Sequence, residues 1–98
     1  MWILRTATSA QPDSLPFRIT LGKSKILGRA MSADFVIDTA MVSRKHCRLT
    51  NTGGQLIVED LNSTNGTFIN NRRIDASILV SGDRLRVGPV DLIVSHEP

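Results

Sequence analysis

Three short polar stretches carry the residue types best suited to chemistry. The first is Leu61-Asn62-Ser63-Thr64-Asn65-Gly66-Thr67-Phe68-Ile69-Asn70, in which small hydroxyl and amide side chains surround an Asn-Gly pair. Asn65 and Gly66 both accept positive φ at low cost, so the pair marks a tight turn. Such a turn presents hydrogen-bond donors with little steric hindrance, as docking of a polar group requires. The second stretch is Gly28-Arg29, at the end of an apolar run. The third is Ser43-Arg44-Lys45-His46, just before another. Brought together, the three would make a pocket of hydroxyls, amides and cations.

Other chemistries are poorly served. Ser43 and His46 invite a hydrolase reading, but no acidic residue is placed to orient the histidine and no nucleophile-elbow motif is present. His46 reads better as a brace that holds its loop by hydrogen bonding. His46-Cys47 is not a zinc motif, because the remaining ligands are absent. Cys47 reads as a small core residue. Nothing in the sequence calls for a metal or a cofactor.

The bounds are simple. Ninety-eight residues suit one small domain, and 41% apolar residues suffice for one core. Charged residues at 21% are close to ordinary globular usage. The net charge of +3 suits an anionic partner without forming the dense basic face of a nucleic-acid binder. A single cysteine excludes an intrachain disulfide. No apolar run approaches a membrane span, and Met1-Trp2-Ile3-Leu4-Arg5 does not open a signal peptide. A cytoplasmic setting is expected, or a nuclear one in a eukaryote.

The polar stretches must be positioned by strands, since no segment has helical apolar spacing over a helix's length. Strands are expected at Trp2–Thr6, Phe17–Leu21, Ser24–Leu27, Phe35–Ile37, His46–Thr50, Gln55–Asp60, Thr67–Ile69, Arg72–Ile74, Ile78–Val80, Arg84–Val87 and Val90–Ser95. Phe17, Ile19 and Leu21 should share one face, and Cys47 and Leu49 should point inward. A proline-marked loop spans 10–16, a polar connection spans 38–45, and a hairpin turn is expected at 51–54. Many short strands separated by Gly, Asn and Pro turns predict an all-β antiparallel sandwich over residues 1–98 as one domain. Its loops would cluster at the two ends, which is how residues 29, 43 and 64 would become neighbours.

The ordered set Gly28-Arg29, Ser43-x-x-His46, Asp60-x-x-Ser63-Thr64-Asn65-Gly66-Thr67 and Asn70 resembles the forkhead-associated (FHA) domain over nearly the whole chain. The resemblance implies an eleven-stranded sandwich that binds phosphothreonine peptides through loops at one end. It implies that Arg29, Ser43, Arg44 and Thr64 contact the phosphate and that Asn65 holds the peptide backbone. Gly28, His46, Gly66 and Asn70 would support the site. Met41 and Lys45 are candidates for reading peptide side chains. The chain departs from the commonest pattern at Asn71, where the family often has glycine. Asparagine also tolerates the left-handed conformation.

The chemistry agrees. Phosphothreonine carries close to two negative charges and three acceptor oxygens, and an arginine fork matches them. The expected function is a non-catalytic phosphothreonine-recognition module in Ser/Thr kinase signalling. Its partner would be a phosphothreonine-containing protein, such as a kinase or its substrate. Two alternatives compete with it: a scaffold that binds unphosphorylated surfaces, and a weak nucleic-acid or phosphate binder on the same basic end. Arg72-Arg73 and Arg84/Arg86 read as solvated strand faces, with Arg72 a lesser candidate to reach the peptide's rim.

Overall fold

The computed structural model describes residues 1–7 and 16–98. Most of the proline-marked stretch at 10–16 therefore lies outside the described residues. Eleven strands follow in order: β1 (Trp2–Thr6), β2 (Phe17–Ile19), β3 (Ser24–Gly28), β4 (Phe35–Val36), β5 (Cys47–Thr52), β6 (Gln55–Asp60), β7 (Thr67–Ile69), β8 (Arg72–Ile74), β9 (Ala76–Leu79), β10 (Arg84–Val87) and β11 (Val90–His96). They form a six-stranded sheet ordered β2-β1-β11-β10-β7-β8 and a five-stranded sheet ordered β4-β3-β5-β6-β9. All pairings are antiparallel except β3 with β4, which is parallel and matches Leu27 to Phe35. No helix among the described residues is long and apolar enough to cross a membrane.

The period of two along each strand sends one row of side chains between the sheets. Leu4, Ile19, Leu27, Leu49, Leu56, Val58, Leu79, Leu85, Val87, Leu92 and Val94 are buried there. Each such side chain contributes about 1.5–3 kcal/mol relative to exposure. Cys47 and Leu49 both face inward, as their alternation predicts. Two polar groups fasten the layers together. Asn51 on β5 donates from Nδ2 to the Ile19 carbonyl of the opposite sheet at 2.9 Å, and Trp2 donates from Nε1 to the Gly54 carbonyl at 3.3 Å.

Several strand ends differ from the sequence expectation, each for a local reason. Leu21 does not share the inward face of Phe17 and Ile19: it is 68% exposed. The chain leaves the sheet at Thr20, whose carbonyl accepts from Lys23 N–H, and Gly22 adopts φ +80°. Val80 is likewise outside β9. Its N–H donates to Asp83 Oδ2 at 2.8 Å, a turn that points its side chain to solvent. The hairpin turn expected at 51–54 narrows to Gly53-Gly54, both at positive φ, and Asn51 is buried within β5. Asn70 and Asn71 turn β7 into β8 with φ of 50° and 69°. The asparagine at 71 thus takes the left-handed backbone that glycine would otherwise supply.

Candidate functional site

The strand registers place three loops at one end of the sandwich. Leu27 pairs with Cys47, and Cys47 with Asp60. The exits of β3 and β6 and the entry to β5 therefore lie side by side, and the three polar stretches follow directly from them. The structure brings residues 29, 43 and 64 together: Arg29 N–H donates to the Ser43 carbonyl at 2.9 Å, and Thr64 N–H donates to Ser43 Oγ at 3.0 Å.

Gly28 is dictated by this approach. A Cβ there would overlap the Arg44 carbonyl oxygen and lie 2.8 Å from the Arg44 carbonyl carbon. The segment from Ser43 to Lys45 thus lies directly on the Gly28 backbone, where no side chain fits. Ala30 N–H donates to the Arg44 carbonyl at 3.2 Å and extends the contact.

His46 links two of the loops while fully buried. Its Nδ1 accepts from Ser43 N–H at 3.0 Å, so the ring proton belongs on Nε2, which donates to the Gly66 carbonyl at 2.8 Å. Gly66 N–H in turn donates to Ser63 Oγ at 3.0 Å. The Ser63 hydroxyl donates to Asp60 Oδ1, as does the Thr67 hydroxyl at 2.7 Å. Burial pushes the Asp60 carboxyl up. Hydrogen bonds from the Ser63 and Thr67 hydroxyls and the Ser63 N–H, with His46 nearby, outweigh it and hold the group below its ordinary value. One continuous network therefore runs from Thr67 through Asp60, Ser63, Gly66, His46 and Ser43 to Thr64.

The cationic residues stand on the solvent side of this network. Arg29 donates from Nε to the Val42 carbonyl at 3.1 Å. That bond orients its guanidinium and leaves the terminal nitrogens for a ligand. Arg29 and Arg44 line one cleft of about 250 Å³ together with Ala30, Met31 and Asp38. Neither arginine has a carboxylate within ion-pair distance among the described residues. Asn65 donates from Nδ2 to the Met41 carbonyl at 3.0 Å, which ties the Asn-Gly turn to the loop before Ser43. Met41 is about half exposed and Lys45 lies on the exposed rim. Cys47, the next residue, is buried in the core, and that burial, with Asp60 second, pushes its thiol up to about 12, away from the reactive thiolate.

One residue named from the sequence is not brought to this end. Asn70 accepts from Arg84 N–H at 2.9 Å through Oδ1 and donates from Nδ2 to Asp83 Oδ1 at 3.0 Å. It joins the far end of β7 to the start of β10, away from the three loops. Conversely, sequence reasoning passed over Asp60, Ser63 and Thr67 as site residues. The Asp60-x-x-Ser63 spacing was the available signal, because a carboxylate three residues before a serine can accept its N–H in a turn. Asp38 and Met31 carried no sequence signal for the cleft.

Comparison with known proteins agrees with this geometry. The FHA domain family model matches residues 25–88, and the chain belongs to that family. Among its relatives is the ABC transporter ATP-binding/permease protein Rv1747 of Mycobacterium tuberculosis. It is 42% identical over 83 residues, which cover 85% of this chain and 10% of that protein. Another is the glycogen accumulation regulator GarA of Mycolicibacterium smegmatis. It is 35% identical over 71 residues, covering 72% of this chain and 45% of that one. The match thus spans less than half the length of either relative. A solved structure from a structural and functional analysis of phosphothreonine-dependent FHA domain interactions superposes with a TM-score of 0.88 at 32% identity. The superposition covers 99% of this chain and 97% of that one.

Proposed function

We propose that this domain binds phosphothreonine peptides without catalysing a reaction, and so couples the action of a Ser/Thr kinase to the assembly of its protein partners. One observation carries the reading: Arg29 and Arg44 line one cleft beside a Ser43 hydroxyl that is anchored by Thr64, with no carboxylate paired to either guanidinium among the described residues. Membership of the FHA family supports it. So does the likeness to a solved domain studied for phosphothreonine-dependent interactions.

The roles follow from hydrogen-bond inventory. The guanidinium of Arg29 offers two terminal nitrogens to phosphate oxygens, and Arg44 adds a second cation. Ser43 Oγ accepts from Thr64 N–H, so its own proton is available to donate to the phosphate. The Thr64 hydroxyl is a further donor. Asn65, already oriented by the Met41 carbonyl, keeps an amide N–H and Oδ1 for the peptide backbone. Met41 and Lys45 flank the path as readers of neighbouring side chains. Each charge-assisted bond contributes roughly 1.5–3 kcal/mol, and ordering the peptide offsets much of that total. Affinity of about micromolar, near −8 kcal/mol, is the natural outcome and suits reversible signalling. A cytoplasmic setting belongs to the same proposal.

The nucleic-acid alternative lacks a stacking platform. Trp2 is buried, Phe17 and Phe35 stack on each other at 4.5 Å against the core, and Phe68 lies under Arg86. The experiment is calorimetric titration with an oriented phosphothreonine peptide library beside phosphoserine and unphosphorylated controls. Micromolar binding of phosphothreonine peptides alone is expected. Equal affinity for unphosphorylated peptides would show the domain to be a phosphorylation-independent scaffold.

A further inference from the structure

Beyond the phosphate cleft, the outer face of the six-stranded sheet carries a second cationic group that begins at the same loop. Arg73 on β8, Phe68 on β7 and Arg86 on β10 occupy one cross-strand row, since Phe68 pairs with both arginines. The Arg86 guanidinium lies 4.6 Å from the centre of the Phe68 ring and donates from Nη1 to Asn71 Oδ1 at 2.9 Å. Arg73 reaches back to the Asn65-Gly66 turn: a Cβ on Gly66 would stand 2.9 Å from Arg73 Nε and 3.2 Å from the Phe68 ring edge. The row is therefore continuous with the loop assigned above to the peptide backbone.

Arginines on strand faces are commonly solvated and contribute little. This pair differs in two respects. First, neither Arg73 nor Arg86 has a carboxylate within ion-pair distance among the described residues, although Arg84 on the same face is paired with Asp91 at 3.6 Å. Second, Arg86 is held by the ring and by Asn71, so its guanidinium is pre-oriented, and less entropy is lost when it pairs. Because β8 is the edge strand of its sheet, the row opens at Arg73 onto the sheet's free edge, beside the Asn65-Gly66 turn.

We infer that Arg73 and Arg86, spaced by Phe68, form an accessory site for an acidic segment of the same phosphorylated partner, adjoining its phosphothreonine. The site favours Asp- or Glu-rich flanks over neutral or basic ones, and it adds both affinity and selection beyond the phosphate itself. It rests on the phosphopeptide reading above.

The test uses the intact domain and three phosphothreonine peptides of equal length: one with four neutral residues after the phosphothreonine, one with four acidic residues there, and one with the four acidic residues before it. One acidic peptide should bind roughly fivefold more tightly than the neutral one at low salt, as two exposed charge pairs allow, and the gain should shrink as salt is raised. The R73Q/R86Q double variant should keep its affinity for the neutral peptide and lose the gain. Thermal unfolding of the variant, measured in parallel, checks that the sheet is intact. If both acidic peptides bind like the neutral one, or if the gain survives in the double variant, the accessory site is refuted while the phosphothreonine reading stands. If none of the three binds, both fall together. An unphosphorylated acidic peptide or a short oligonucleotide that binds as tightly as the acidic phosphopeptide would identify a general polyanion face and overturn the assignment.

Discussion

His46 does its work from complete burial. Its two ring nitrogens satisfy Ser43 N–H and the Gly66 carbonyl, groups that belong to different loops. Removing the ring orphans both, and each unsatisfied buried group costs about 1–3 kcal/mol. His46→Ala is therefore expected to lower stability by about 2–6 kcal/mol, read by denaturant midpoint, and to weaken phosphopeptide binding through loss of loop geometry. Arg29 and Ser43 are placed differently: the terminal nitrogens of Arg29 are free among the described residues, and the Thr64 N–H that Ser43 Oγ accepts at the end of the network is solvent-exposed, so water can replace that bond. Arg29→Ala and Ser43→Ala should each reduce phosphothreonine-peptide affinity by roughly ten- to a hundredfold, since each removes a charge-assisted contact of about 1.5–3 kcal/mol. Their unfolding midpoints should stay near that of the unsubstituted chain. Calorimetry beside thermal melts separates the two classes; a collapse of stability in Arg29→Ala would contradict the assignment.

Gly28 shows what a strand end demands. β3 delivers Arg29 only because the Ser43–Lys45 backbone can rest on a residue without a side chain. Gly28→Ala is expected to push that segment off β3, costing about 1–3 kcal/mol as overpacking does. It should also weaken peptide binding although no ligand contact is altered. Amide chemical shifts should change across 43–46 rather than across β10 and β11; shifts confined to β3 would argue against the lever. The same element logic explains where period-two reading held and where it failed. Cys47 and Leu49 faced inward as alternation requires. Leu21 had the right spacing, but a Thr20–Lys23 turn removed it from the sheet. Alternation fixes a side chain's face only while the ladder continues.

At the scale of the whole molecule, two acid transitions should be separable. The dianionic phosphate takes up its second proton near pH 6, so peptide binding should weaken below about pH 6 while the fold persists. Folding responds at lower pH. The Asp60 carboxyl lies below its ordinary value of 3.8 in the folded chain. A lowered folded value means that the unfolded chain binds the proton first. The contribution is thus complete above 3.8 and is lost as pH falls through the folded value. Asp60→Asn should be less stable at neutral pH and show a flatter acid limb, measured by urea unfolding from pH 7 to 2. An unchanged acid limb would show that the Asp60 network does not couple to folding.

Much of this was legible in the chain itself. Alternating apolar residues and Gly, Asn and Pro turns determined an all-β sandwich, because local periodicity and turn chemistry are written residue by residue. The ordered motifs from Gly28-Arg29 to Asn65-Gly66 determined which loops would hold the candidate site. Tertiary structure alone decided which side chains meet. It carried Asn70 to the opposite end through Asp83 and Arg84, and it made Asp60 the anchor of the Ser63–Thr67 turn. It put Asp38 and Met31 into the cleft and laid Arg73 over Gly66. These are contacts between strands distant in sequence. They depend on register and on the crossing of strands between two sheets, for which a one-dimensional pattern has no coordinate.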